Sequence, residues 1–131
     1  MQNIFTYFKS VLVVVISYLG YFLGGFDTMM ITLLLFMLVD YISGLINAIL
    51  KKKLSSQVGF KGICKKAYIL LIVGAVNLLG NAIGIDELRF IVISFYIANE
   101  GISLIENASQ IGVPIPDKIV EVLEQLKEGE K

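Results

Sequence analysis

The sequence predicts an all-α integral membrane protein with a single membrane domain over residues 1–131, and three observations lead to this prediction. The chain is 56% hydrophobic with a mean hydropathy of +0.81. Only 17% of its residues are charged, whereas soluble domains have about 25%. The charges are also clustered, which leaves uncharged runs of membrane length. We therefore expect a bundle of about four transmembrane helices, with three as the alternative.

A basic segment at residues 51–66 fixes the predicted orientation. It holds six of the eleven basic residues and no acid, and it lies between two membrane-length apolar runs. Lysines concentrate in cytoplasmic loops, so this segment is predicted to be a cytoplasmic loop with both chain termini on the same side. The topology-setting residues are Lys51, Lys52, Lys53, Lys61, Lys65 and Lys66.

The first predicted span covers about residues 8–26 and ends in a Gly-Gly turn. Gly20 and Gly24 have the small-x-x-x-small spacing that allows helices to approach closely. The alternative is that these glycines reflect only the general abundance of glycine in membrane helices.

The second predicted span, residues 28–50, carries an acid in its middle. Its twelve Leu, Ile, Phe and Val residues contribute roughly −0.3 to −0.6 kcal/mol each, against roughly 2.5–3.5 kcal/mol for Asp40. The helix can therefore insert with its carboxylate. Asp40, Gly44 and Asn47 share one face, which predicts a functional site or, alternatively, a hydrogen bond that only packs helices.

The third predicted span, residues 67–85, is uncharged and places Asn77 and Asn81 on one face, where their amides can bond to other helices. Gly80 and Gly84 repeat the close-packing spacing.

The fourth predicted span, residues 90–109, holds Glu100, Ser103 and Glu106 on one polar stripe. Two glutamates cost more than its apolar residues supply, so the stripe must face helices, another subunit or water. The alternative is an amphipathic helix lying along the membrane.

A cytoplasmic tail, residues 112–131, follows the helix-breaking prolines Pro114 and Pro116. Asp117 is predicted to be the N-cap of a short amphipathic helix, which we expect to be solvated.

Composition argues against several function classes. One cysteine and no histidine provide neither an internal disulfide nor a metal cluster, and we expect no cofactor. The membrane runs that flank the lysines argue against nucleic acid as their partner. No motif of an intramembrane enzyme is found, so the chain is not expected to be an enzyme.

Four motifs in this order resemble the toxin-secretion/phage-lysis holin family. They run from Asp40 to Gly44, from Lys53 to Lys66, from Asn99 to Asn107 and from Gly112 to Pro116, within a resemblance that covers roughly residues 27–126. The resemblance implies a multi-pass protein of the bacterial inner membrane that forms homo-oligomers and opens lesions in the bilayer. Its functional partner would be an endolysin or a secreted toxin, with an antiholin as an inhibitory partner in some systems.

The family has no catalytic residues to carry over, so the candidate residues are pore or oligomerisation candidates. They are Asp40, Gly44, Asn47, Asn77, Asn81, Glu100, Ser103 and Glu106. Two other functions remain open. The first is a small ion channel or transporter subunit with Asp40 and Glu100 as ion sites, and the second is a scaffold that anchors a cytoplasmic partner.

Overall fold

The computed structural model describes residues 2–129, which form five helices. Four of them are long and apolar enough to cross a membrane, and the fifth is a short amphipathic helix. The helices are α1 (Gln2–Leu23), α2 (Thr28–Leu50), α3 (Ser56–Ile83), α4 (Glu87–Gln110) and α5 (Asp117–Glu128).

All four long helices end in the same hydrogen-bonded turn. In each one, a backbone N–H just beyond the helix donates to the carbonyl five residues earlier, at 2.6–2.9 Å. The residue before that donor has a positive φ angle, as a Schellman motif requires. The accepting residues are Gly20, Ala48, Gly80 and Ala108, and the residues with positive φ are Gly24, Lys52, Gly84 and Gly112.

The two Gly-x-x-x-Gly patterns, Gly20/Gly24 and Gly80/Gly84, therefore form the C-terminal turns of α1 and α3. Gly24 and Gly84 lie outside their helices, with φ angles of 86° and 76°. A Cβ atom on Gly20 would meet the ring of Phe26 in the following turn, and one on Gly80 would meet the carbonyl of Ile85. The same spacing thus joins the two ends of a Schellman turn. Gly24 also allows a close approach between helices, because a Cβ atom there would meet the side chains of Asn77 on α3 and Arg89 on α4.

The predicted loop at residues 51–66 is shorter than expected. The hydroxyl of Ser55 accepts a hydrogen bond from the backbone N–H of Val58 and caps α3, which begins at Ser56. Two further glycines in this region allow α3 to approach α2. A Cβ atom on Gly59 or Gly62 would lie only 3.1–3.3 Å from the side chain of Tyr41. Most of the basic segment is thus the first three turns of a helix.

The core lies between α2, α3 and α4. Met30, Leu33, Val73 and Ile93 are fully buried there, and α2 runs parallel to α4 over most of their length. Most other large apolar side chains face outward, as they do where lipid is the solvent. Helix α1 is exposed from Gln2 to Leu19 and meets the other helices only near its C-terminal end.

The short helix α5 folds back along α4. Leu123 is buried against Gly101, where an added Cβ would lie 2.9 Å from the leucine, and Phe36 of α2 closes the same contact. Most of α5 is exposed, as expected for a solvated helix, but its apolar side is docked, because Gly101 leaves a depression on α4 that Leu123 fills. Asp117 is the first residue of α5, and Pro116 occupies the N-cap position that was predicted for the aspartate.

Candidate functional site

A buried ion triad joins the three core helices. The Nζ atom of Lys66 on α3 lies 2.8 Å from Oδ2 of Asp40 on α2 and 2.6 Å from Oε2 of Glu100 on α4. The Glu100 side chain is only 2% exposed, and those of Asp40 and Lys66 are 13% and 15% exposed. One lysine thus balances two carboxylates, which leaves the triad with one excess negative charge when all three groups are ionised.

The positions of the three residues follow from their helices. Asp40 and Glu100 each lie ten residues before the last residue of α2 and α4, and these two helices are parallel. At 1.5 Å per residue, both carboxylates are about 15 Å from the same end of the bundle. Lys66 lies ten residues after the start of α3, which runs in the opposite direction. The three side chains therefore meet at one depth, where an unpaired charge would be costly.

A row of amides continues from the triad to the end of the bundle. The Asn107 amide donates to Oδ1 of Asp40 at 3.2 Å and to the hydroxyl of Ser43 at 2.9 Å. The Asn47 amide donates to the Asn107 carbonyl at 3.0 Å and to Oε1 of Gln110 at 3.3 Å. Lys51 completes the row with a 2.6 Å bond to the same Gln110 oxygen. Helices α2 and α4 therefore pair through polar groups of one chain, although the side-chain oxygen of Asn47 is buried there without a hydrogen-bond partner.

A cleft of about 240 Å³ opens beside the triad. Its wall includes Asp40, Gly44, Lys66 and Ser103, so it brings together residues from α2, α3 and α4. The cleft has the size and polarity to admit water to the carboxylate of Asp40. Within residues 2–129, no group of three His, Cys, Asp or Glu side chains could hold a metal ion.

A second polar cluster ties the opposite end of the bundle together. Arg89 of α4 donates to the carbonyls of Leu23 and Gly25 at 2.6 and 2.9 Å, and to both carboxylate oxygens of Asp27 at 2.7 and 3.1 Å. The Asn77 amide donates to the Phe22 carbonyl at 3.1 Å. These bonds hold the turn between α1 and α2, where a Cβ on Gly24 would collide with Arg89.

Asp27 lies in that turn, outside the spanning helices, and its carboxylate is half exposed. The side-chain hydrogen bond from Arg89, aided by the Met30 N–H and the arginine charge, holds the pKa of the Asp27 carboxyl below its ordinary value of 3.8, although burial opposes this. The ionised form of Asp27 is therefore part of the folded turn.

The structure separates the candidate residues into three groups. Asp40, Asn47 and Glu100 belong to the triad and its amide row, and Gly44 and Ser103 line the adjacent cleft. Asn77 is buried at the opposite end of the bundle, in a bond that fixes α1. Asn81 and Glu106 are exposed.

Sequence reasoning missed two cations of the site. Lys66 was assigned only to topology, yet it is the counter-ion of both buried carboxylates. Arg89 lies between the third and fourth predicted spans and was not among the candidate residues, yet it binds three residues at the α1–α2 connection. A signal was available for Lys66, because two acids within spans require a cation and this lysine is the basic residue nearest the third apolar run.

Comparisons with known proteins give a consistent result. A family model described as the bacteriophage holin family matches residues 17–128. A 14.9 kDa protein encoded in the nagH 3′ region of Clostridium perfringens is 38% identical over 128 residues, which cover 96% of this chain and 97% of that protein. The protein YqxH of Bacillus subtilis is 36% identical over 112 residues, or 85% of this chain and 79% of that protein. The names of both relatives describe them as uncharacterized. No solved structure matches the chain significantly.

Proposed function

The chain belongs to the bacteriophage holin family, and from this premise we propose that it is a holin, which oligomerises in the bacterial cytoplasmic membrane and opens lesions there. The lesions would release an endolysin, or a secreted toxin, and so trigger lysis of the host cell. An antiholin is a further proposed partner. Membership of this family implies a membrane protein without enzymatic activity.

The four long apolar helices and the family together make this a multi-pass membrane protein. We propose that the α2–α3 connection is cytoplasmic, because all six lysines of the basic segment precede α3 or lie in its first three turns, and the segment contains no acid. Both termini would then also be cytoplasmic.

The position of α5 is the observation that carries the proposal. Leu123 packs on Gly101, which lies nine residues, or about 14 Å, from the end of α4. Helix α4 is about 36 Å long, so α5 reaches back to nearly half of its length. Its outer face carries Glu124, Lys127 and Glu128, which are all exposed.

A charged face at this depth requires water. Each charge costs roughly 2.5–3.5 kcal/mol at the centre of a bilayer, so these three cost roughly 7.5–10.5 kcal/mol if they face lipid. Burying Leu123 returns only about 2 kcal/mol. We therefore propose that α5 docks where this side of the bundle meets water, as it would around a water-filled lesion.

The buried polar side chains of the bundle are compatible with an inactive chain that resides in the bilayer before a lesion opens. Asn47, Asn77 and Glu100 are buried, and their hydrogen bonds are made within one chain. We propose that these groups, with Asp40 and Ser103, exchange such bonds for water or for another copy when a lesion opens. The exposed Asn81 and Glu106 are proposed contacts between copies, as is Gly44.

Controlled expression in a bacterium that carries a cytosolic muralytic enzyme tests the function. Culture density and release of a large cytosolic reporter are followed together. A silent phase that ends in abrupt lysis, advanced by an energy poison, is the expected result. Membrane insertion without any change in permeability would contradict the proposal and favour the scaffold function.

Two pairs of variants test the proposed roles of α5 and of Glu100. Replacing Glu124, Lys127 and Glu128 together by leucine should abolish reporter release, whereas glutamine at the same positions should preserve it. Lysis by the leucine variant at the same time as by the wild-type protein would refute the role of α5.

Replacing Glu100 by Gln or by Leu should shift the time at which lesions open, with Glu87→Gln as the exposed control on the same helix. An unchanged opening time in both would remove Glu100 from the mechanism.

The second candidate function is a small ion channel or transporter subunit. The ion triad favours it, because two carboxylates share one lysine beside a cleft of about 240 Å³. This function predicts depolarisation at low expression while the large reporter stays inside the cell.

A further inference from the structure

A groove of about 500 Å³ runs between α3 and α4, on the outer surface of the bundle. Its volume lies within the range of small-molecule sites, and it is open along its length. Lysines lie at one end, and aromatic and aliphatic side chains, together with Cys64 and Asn99, line the remainder. The lining includes Lys61, Lys65, Tyr68, Ile72 and Tyr96.

The basic end of the groove has two ammonium groups. Lys61 and Lys65 are four residues apart on α3, so they project from the same side of the helix. Both are exposed, and neither forms an ion pair with a carboxylate within residues 2–129. The groove lining contains no acidic side chain. This end therefore attracts an anion.

The apolar part of the groove leads away from the lysines toward the middle of α3. Ile72 is eleven residues beyond Lys61, a distance of about 16 Å along the helix. Tyr68 and Tyr96 flank this stretch from α3 and α4. The site thus joins a cationic end to an apolar channel, which matches a molecule with an anionic head and a hydrocarbon chain.

We propose that this groove binds an anionic phospholipid, such as phosphatidylglycerol, with its phosphate between Lys61 and Lys65 and an acyl chain along Tyr68 and Ile72. Basic pockets between membrane helices at the cytoplasmic surface bind anionic headgroups in this way. The groove opens laterally, where a membrane protein meets lipid, and its lysines lie on the side that the basic segment places in the cytoplasm. The inference is independent of whether the protein opens lesions.

The single cysteine of the chain provides a reporter, because Cys64 is exposed and lines the groove. The purified full-length protein is placed in lipid nanodiscs of phosphatidylcholine, with or without phosphatidylglycerol, and the rate of Cys64 alkylation by N-ethylmaleimide is measured. If each lysine contributes about 1 kcal/mol, the pair favours an anionic over a zwitterionic headgroup by about 30-fold. We expect phosphatidylglycerol to slow alkylation at least several-fold, and about one phosphatidylglycerol per chain to remain after purification.

Matched variants separate a site from general surface charge. In the Lys61→Gln/Lys65→Gln variant, the ratio of the rates in the two lipids should fall to the value produced by surface potential alone. The Lys52→Gln/Lys53→Gln variant has the same change in charge outside the groove and should keep the wild-type ratio. Equal ratios in all three proteins would overturn the proposal.

Two further results would also overturn it. If protection depends on the protein-to-lipid ratio and not on the headgroup, a second copy fills the groove, and its α5 would be the complementary acidic segment. If inorganic phosphate in phosphatidylcholine nanodiscs protects Cys64 as well as phosphatidylglycerol does, the lysines form only a site for free anions.

Discussion

Replacing Lys66 by methionine should destabilise the bundle more than any change to either of its partners. The variant leaves Asp40 and Glu100 facing one cavity without a cation, although the structure places a lysine nitrogen 2.8 and 2.6 Å from them. At an effective dielectric constant of about 20, each of these contacts gives about 6 kcal/mol of Coulomb attraction. Desolvation of the ions offsets most of it, so the expected loss is about 3–5 kcal/mol of unfolding free energy.

The complementary variant should be nearly neutral. Glu100→Gln keeps a hydrogen-bonding side chain beside the lysine and removes the excess negative charge, so we expect a change within about 1 kcal/mol. The triple variant Asp40→Asn/Lys66→Met/Glu100→Gln removes all three charges and should recover most of the stability that Lys66→Met loses. Reversible unfolding in mixed detergent micelles, followed by the helical circular dichroism signal, measures each value.

Lys53→Met is the matched control, because Lys53 is exposed and has no ion pair within the described residues. If Lys66→Met and Lys53→Met have the same unfolding free energy, the triad does not stabilise the bundle. If Glu100→Gln lowers the unfolding free energy as much as Lys66→Met does, the excess negative charge of the triad is not what makes the loss of Lys66 costly.

Three further predictions concern the turns and α5. Arg89 holds the pKa of Asp27 below its ordinary value. The stability that this carboxylate contributes should therefore be fully present above pH 3.8 and be lost as the pH falls through the lower folded-state pKa. The unfolding free energy of Arg89→Gln should depend less on pH in this range. Gly101→Leu fills the space of Leu123, so trypsin should cleave α5 several-fold faster than in the wild-type protein. Lys52→Gly should raise the unfolding free energy by about 1 kcal/mol, because φ is 55° at this non-glycine residue.

Each of these predictions has a result that would contradict it. Identical acid unfolding of Arg89→Gln and wild-type protein would mean that the ion pair with Asp27 does not persist in solution. Unchanged proteolysis of Gly101→Leu, with Gly129→Leu as the control beyond α5, would mean that α5 does not dock on α4. A Lys52→Gly variant less stable than the wild-type protein would mean that the lysine side chain contributes more than its backbone strain costs.

The positions of the helices could be read largely from the sequence. The second apolar run was predicted at residues 28–50, and α2 covers Thr28–Leu50. Hydropathy and charge act within a single segment, so a segment too apolar for water and bounded by Asp27 and Lys51 can be delimited without knowledge of its neighbours. The family was also recognisable from short motifs in order, and the match over residues 17–128 confirms it.

The ion triad, by contrast, depends on the rotation and depth of three helices. Asp40 and Glu100 were identified as candidate residues because acids are rare within spans. Their partner is 26 and 34 residues away in the sequence, inside a segment whose other lysines make no such contact. No periodicity within one helix specifies which of several lysines reaches a carboxylate on another.

The sequence by itself thus indicated a membrane protein, its family and a bundle of about four long helices, with three as the alternative, because these depend on composition and on local pattern. The structure then showed four long apolar helices. Only the tertiary structure decided that Lys66 bridges Asp40 and Glu100, that the glycine pairs end helices, and that Leu123 docks on Gly101. Each of these depends on which surfaces meet when helices pack. The free energy of such contacts comes from residues distant in the sequence, so local pattern alone cannot reveal it.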